Sequence, residues 1–285
     1  MWSLGCQPYR VPSHTNRVRR TKGRKIAKST LRTVVVPTEH GGWGFTLEPV
    51  LLGMLIAPGL PALGLAIATF ATFLTRRPLR IAVADLRRDR HLERTNVAMW
   101  SVAGLGVITL AGLALTLATA SDSFWWPLVV ALPLVTVQLR LDLDNRGREL
   151  LPELLGPFAL GAAAPMAILA NGLGWKIAAG AWLVLAARIV PSVLLVRAQL
   201  RRAKRQSFSV VPVTTTGLAG SVLIGLTAAA GWAPWLSVGA AILVAVWDSI
   251  SMRLPPVPVK TIGWTQMVVG FVVVVACAAG YHLGW

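Results

Sequence analysis

From Phe45 to the C-terminus, uninterrupted apolar runs alternate with short charged or Pro/Gly-rich connections. The runs cover 45–59, 61–75, 97–118, 124–139, 154–171, 174–196, 213–231, 234–252 and 265–284. A helix needs about 20 apolar residues to cross the hydrocarbon of a bilayer, so most of these runs are of spanning length. The pattern predicts an all-α polytopic membrane bundle of about nine transmembrane helices. The first two runs are short and joined by a tight turn at Pro58–Pro61, so flanking residues extend them or they form a re-entrant pair.

The polar positions orient the bundle, because Lys and Arg are retained on the cytoplasmic side. Nine lie before residue 37, seven between runs two and three, three between runs four and five, six around the end of run six, and two before run nine. Only Lys176 falls on the other side, which sets the N-terminus inside and the C-terminus outside. Trp125, Trp126, Trp175, Trp232, Trp235 and Trp285 fall at the outer border, where an indole is half solvated. Composition agrees: 55% hydrophobic, 14% charged and a mean hydropathy of +0.63 exclude an ordinary soluble domain. A net charge of +17 invites a nucleic-acid reading, but the cations punctuate apolar runs rather than form one stripe, so no nucleic-acid partner is expected. Residues 1–36 read as a basic, disordered cytoplasmic tail held against anionic membrane lipid, with a transit peptide or an upstream start that is not the real one as the alternatives, and 37–285 as the membrane domain. Cys6 and Cys277 have no route to each other, so neither a disulfide nor a thiolate metal site is expected.

Four polar clusters could carry chemistry. The stretch PTEHGGWGFTLEP, residues 37–49, brings Glu39, His40 and Glu48 to a membrane border, where a carboxylate is costly without a partner. Glu48 is alternatively the polar N-terminal end of the first helix, favoured by its dipole. Asp85, Asp89 and Glu93 recur every four residues, so on one helix they form an acidic row able to hold Mg²⁺; the competing reading is a solvated helix bridged by its own arginines. In RLDLDNRGRELLPELLG, residues 140–156, Glu153 abuts the next apolar run and calls for an arginine from another cluster. In AARIVPSVLLVRAQLRRAKR, residues 186–205, Arg188 lies inside an apolar span and must face a cavity or a carboxylate. Arg197 and Arg201 extend that positive surface. Asp248 pairs with Arg253 or joins the same cavity, and Gln266 caps the last helix.

At EHGGWGFTLEP, RRPLR, PELLG and RIVPSVLLVR, the chain resembles the YwiC-like family of bacterial multi-pass membrane proteins, a resemblance that implies the fold class but no activity. More distantly it is similar to UbiA-type intramembrane prenyltransferases, which have nine helices and bind Mg²⁺-diphosphate through aspartate-rich motifs after helices two and six. That resemblance implies a bacterial cytoplasmic-membrane transferase acting on an isoprenoid or other lipid diphosphate. Asp85, Asp89 and Glu93 would hold Mg²⁺, Arg188, Arg197 and Arg201 the diphosphate, and Glu48 or His40 the acceptor. The leading Asn-Asp is missing from the first motif, and the connection after helix six has no acidic residue. The competing class is a transporter or lipid-binding membrane protein without covalent chemistry, which Glu48 and Arg188 fit equally well.

Overall fold

A computed structural model describes residues 33–35, 40–89 and 92–284, except the side chains of His40 and Gly41. The basic tail up to residue 32, together with Glu39 and Trp285, lies outside the described residues. Among the described residues the chain forms ten principal helices and no strand. These are α1 His40–Ile56, α2 Leu60–Leu86, α3 Glu93–Thr119, α4 Trp126–Leu143, α5 Leu150–Leu160, α6 Ala163–Ala170, α7 Trp175–Ala203, α8 Val211–Ala229, α9 Trp235–Ser251 and α10 Val259–Leu283.

Every apolar run lies on a helix, with two departures from the expected bounds. The first two runs are the apolar parts of longer helices, of 17 and 27 residues, because the helical backbone continues through flanking polar sequence. The fifth run is broken into α5 and α6. Pro165 has no amide hydrogen to give the carbonyl of Gly161, four residues earlier, and its ring crowds that carbonyl, so the helix restarts there. Six helical stretches are long and apolar enough to cross a membrane: α3, α4, α5 with α6, α7, α8 and α10. α1 and α9 are apolar but shorter, and the second half of α2 carries Arg76, Arg77 and Arg80.

The core is built where small side chains let helices approach. Every residue of α6 is buried, and Leu52 of α1, Ile168 of α6, Val184 of α7 and Val274 of α10 meet in one cluster around it. α3 is held almost wholly by α2. At their crossing a Cβ on Gly64 would come within 2.6 Å of the Gly112 carbonyl, and the Thr116 hydroxyl donates to the Pro61 carbonyl at 3.1 Å. Such small-residue seams are how membrane helices associate when lipid removes any hydrophobic drive between them. The opposite face of α3, with Trp100, Val107 and Leu110, is bare.

The two ends of the bundle differ. At one end Arg76 and Arg87 tie α2 to Asp142 and Asp144, Arg197 joins Glu153 and the Arg148 carbonyl, and Arg202 donates to the Met252 carbonyl. At the other, Trp175 meets Trp232 edge-on at 5.0 Å and Asn171 donates to the Ala57 carbonyl. The charge asymmetry of the sequence is therefore an asymmetry of the folded molecule.

Candidate functional site

At the charged end, α2 stops at Leu86 and the chain reverses through a turn in which Asp89 takes a left-handed φ of 51°. The reversal returns Arg94, in the first turn of α3, to Asp85. Arg94 donates from Nε at 2.9 Å and from Nη2 at 2.7 Å, and the Thr95 hydroxyl adds a third bond at 2.9 Å. Beside it, Asp142 at the end of α4 accepts from Arg76 Nε at 2.5 Å and Nη2 at 3.1 Å. The Gln138 amide, with its oxygen toward Arg76, accepts at 3.1 Å; it stands one helical turn before Asp142 on the same face. Gly147 lets the following loop close over Asp142, since a Cβ there would collide with the carboxylate. Farther out, Arg146 donates to Glu149 at 2.7 and 2.8 Å and holds its carboxyl below the usual carboxylate range.

Between these two buried carboxylates lies a pocket of 460 Å³. Its walls carry Arg76, Arg80, Arg88, Arg94 and Arg148 against Asp85 and Asp142, a formal excess of three positive charges. Asp85 is held by Arg94 and Asp142 by Arg76. Arg80, Arg88 and Arg148 form no ion pair among the described residues. Five guanidinium forks around one opening suit an anion with several oxygens, phosphate above all.

A second polar cluster lies inside the bundle. Arg188 of α7 donates from Nη1 to Glu48 Oε2 at 3.0 Å, and both side chains are about 5% exposed. Its Nη2 donates to the Gln266 carbonyl of α10, and the Gln266 side chain donates from Nε2 to Asp248 Oδ1 of α9 at 3.0 Å. Gly270 makes room for the pair, since a Cβ there would strike both the Glu48 carboxylate and the Arg188 guanidinium. Four helices are therefore pinned by one connected network.

The residues singled out in the sequence fall into three places. Glu48 and Arg188 meet in the buried cluster, which Asp248 and Gln266 complete; Gln266 is not a cap, because α10 begins seven residues before it. Arg197 sits nine residues beyond Arg188, roughly 13 Å along the helix, and takes Glu153 at 2.5 Å. Arg188 and Arg197 are thus engaged by different carboxylates, Glu48 and Glu153. Arg201 is exposed. The His40 side chain lies outside the described residues. Asp85, Asp89 and Glu93 do not form one helical row, because α2 ends between the first two. Both Asp85 oxygens accept from Arg94, and no group of three carboxylate, histidine or cysteine side chains able to hold a metal occurs among the described residues. Arg76, Arg80, Arg94 and Asp142 were not singled out, although Gln138 and Asp142 at helical spacing mark a polar face on α4.

Fold and site together define a helical membrane protein with a basic pocket at one end and an ion-paired core. Within that class, residues 36–168 match the model of the YwiC-like protein family. The matched stretch contains every pocket residue named above, but only Glu48 of the buried cluster. No curated protein and no solved structure matches the chain.

Proposed function

We propose that the protein binds the phosphate-bearing headgroup of an amphiphile, an isoprenoid or other lipid diphosphate, in the arginine pocket, and carries or presents it without covalent chemistry. The observation that carries this reading is the 460 Å³ pocket walled by Arg80, Arg88 and Arg148, which form no ion pair among the described residues. The bare apolar face of α3 starts at the same end, at Arg94, and gives an acyl or prenyl tail a lipid-facing path beside the bound headgroup. All nine apolar runs are read as crossings, the pocket opening to the cytoplasm of a bacterial cell, which follows from the basic residues gathered at that end. The UbiA-type transferase reading requires a carboxylate-held metal, whereas Asp85, Asp89 and Glu93 are spread over two helices and the turn between them rather than along one row.

The test is thermal stability of the purified, detergent-solubilised protein with geranylgeranyl diphosphate, in Mg²⁺ and in chelator. A ligand that binds only the folded state raises its stability by mass action. A rise that persists in chelator and is lost in the Arg80→Ala/Arg88→Ala/Arg148→Ala variant is the expected result. A rise that needs Mg²⁺ and vanishes in Asp85→Asn would return the transferase reading. No rise with any phosphate amphiphile would sink both.

A further inference from the structure

The buried cluster carries an unbalanced charge. Glu48 and Arg188 cancel as a pair, and Arg188 also lies within electrostatic reach of Asp248. With both carboxylates ionised the group holds one excess negative charge. Asp248 itself is 3% exposed, and water is kept from it. An isolated ionised carboxylate in such surroundings is strongly disfavoured. Among the described residues no other cation faces it: Arg202 of α7 is turned to the Met252 carbonyl. α8 contributes no titratable side chain, Lys260 at the start of α10 and Arg253 beyond α9 are exposed, and Cys277 and Tyr281 stand at least eleven residues along α10 from Gln266.

A second observation shows what fills the deficit. The Gln266 amide gives its Nε2 hydrogen to Asp248 Oδ1, yet its Oε1 is buried and has no donor among the described residues. An ionised carboxylate has no hydrogen to offer that oxygen. A protonated one does: the acid hydroxyl donates to Oε1 while the acid carbonyl accepts from Nε2, closing a two-bond ring between acid and amide. The same proton removes the excess charge and satisfies the orphaned acceptor.

We propose that Asp248 is a proton-binding site, held as the neutral acid by a cyclic pair with Gln266 beside the Glu48–Arg188 ion pair. The step is the addition of one proton to the Asp248 carboxylate, with no other bond made or broken. That proton can leave only when the helices part and water reaches the cluster, so an opening of α9 against α7 and α10 would release a proton. This gives the protein a means of linking a conformational change to proton movement, whatever occupies the arginine pocket.

The experiment is infrared spectroscopy of the full chain at neutral pH, in H₂O and D₂O, without added ligand. Three samples are compared: unlabelled protein, protein labelled with ¹³C at the aspartate side-chain carboxyl, and the Gln266→Leu variant. The expected result is a protonated-acid carbonyl band that moves on deuteration, moves down with the aspartate label, and moves up in Gln266→Leu as the amide donor is lost. Absence of an acid band would overturn the proposal. So would a band indifferent to the aspartate label, which places the proton on Glu48, or one indifferent to Gln266→Leu, which places it on another aspartate. Should Gln266→Leu fail to fold, Asp248→Asn keeps the shape of the site; the band must vanish in it, and a surviving band overturns the assignment.

Discussion

Glu48 and Arg188 are 140 positions apart in sequence, yet each is nearly excluded from solvent by the other and by the Gln266 carbonyl. Removing one partner of a buried pair leaves an uncompensated charge, a loss of about 3–5 kcal/mol, whereas replacing both by neutral groups restores much of it. Arg188→Met should therefore lower the unfolding midpoint sharply, while Glu48→Gln/Arg188→Met should recover a large part of the loss. Additive effects in this cycle, measured by denaturant unfolding in detergent, would show that the pair does not act as a unit. Glu48 and Arg188 were legible as candidates because each alone is too costly for an apolar span, and Glu153 likewise called for an arginine. The Asp85–Arg94 pair was not legible, since it depends on the backbone reversing at Leu86 and on Asp89 entering a left-handed turn. Nothing in a four-residue spacing of acids distinguishes that reversal from a continuing helix.

Among helices, α3 depends most on a single neighbour, α2, which it meets along the seam of Gly64, Gly112 and Thr116. Leucine at Gly112 must push the two backbones apart, because a Cβ there already meets the Gly64 carbonyl at 2.6 Å and the Ala68 amide at 2.9 Å. Overpacking of this kind destabilises by about 1–3 kcal/mol or more. Gly106, two turns earlier in the same helix, has nothing within 4 Å of its Cβ position. Gly112→Leu should lower the thermal midpoint in detergent and Gly106→Leu should leave it within error; equal effects would show that the seam does not hold α3. Apolar run length located the helices well, since the backbone must satisfy itself inside lipid. It missed the break between α5 and α6, because the residues around Pro165 are apolar on both sides and a hydropathy pattern carries no record of a missing amide donor.

For the whole molecule, the count of crossings decides where its ends lie. Among the described residues six helical stretches meet the length and apolarity needed to span, and an even number of crossings returns both ends to one side. Counting α1, α2 and α9 as well gives nine and sends the ends to opposite sides. α1 and α9, at 17 residues, each reach about 25 Å, short of a 30 Å hydrocarbon core by an amount that flanking residues and local thinning accommodate. The charged ends bear on this count. Arg76, Arg197 and Arg202 form hydrogen bonds at one end of the bundle, while the Trp175–Trp232 contact lies at the other, an arrangement that supports the nine-crossing reading. Reporter fusions that fluoresce only in the cytoplasm or are enzymatically active only outside it should therefore score the N-terminus as inside and the C-terminus, just past α10, as outside. Both ends on one side would require an even count, remove at least one of the three shorter helices from the membrane, and leave the arginine pocket without a fixed face.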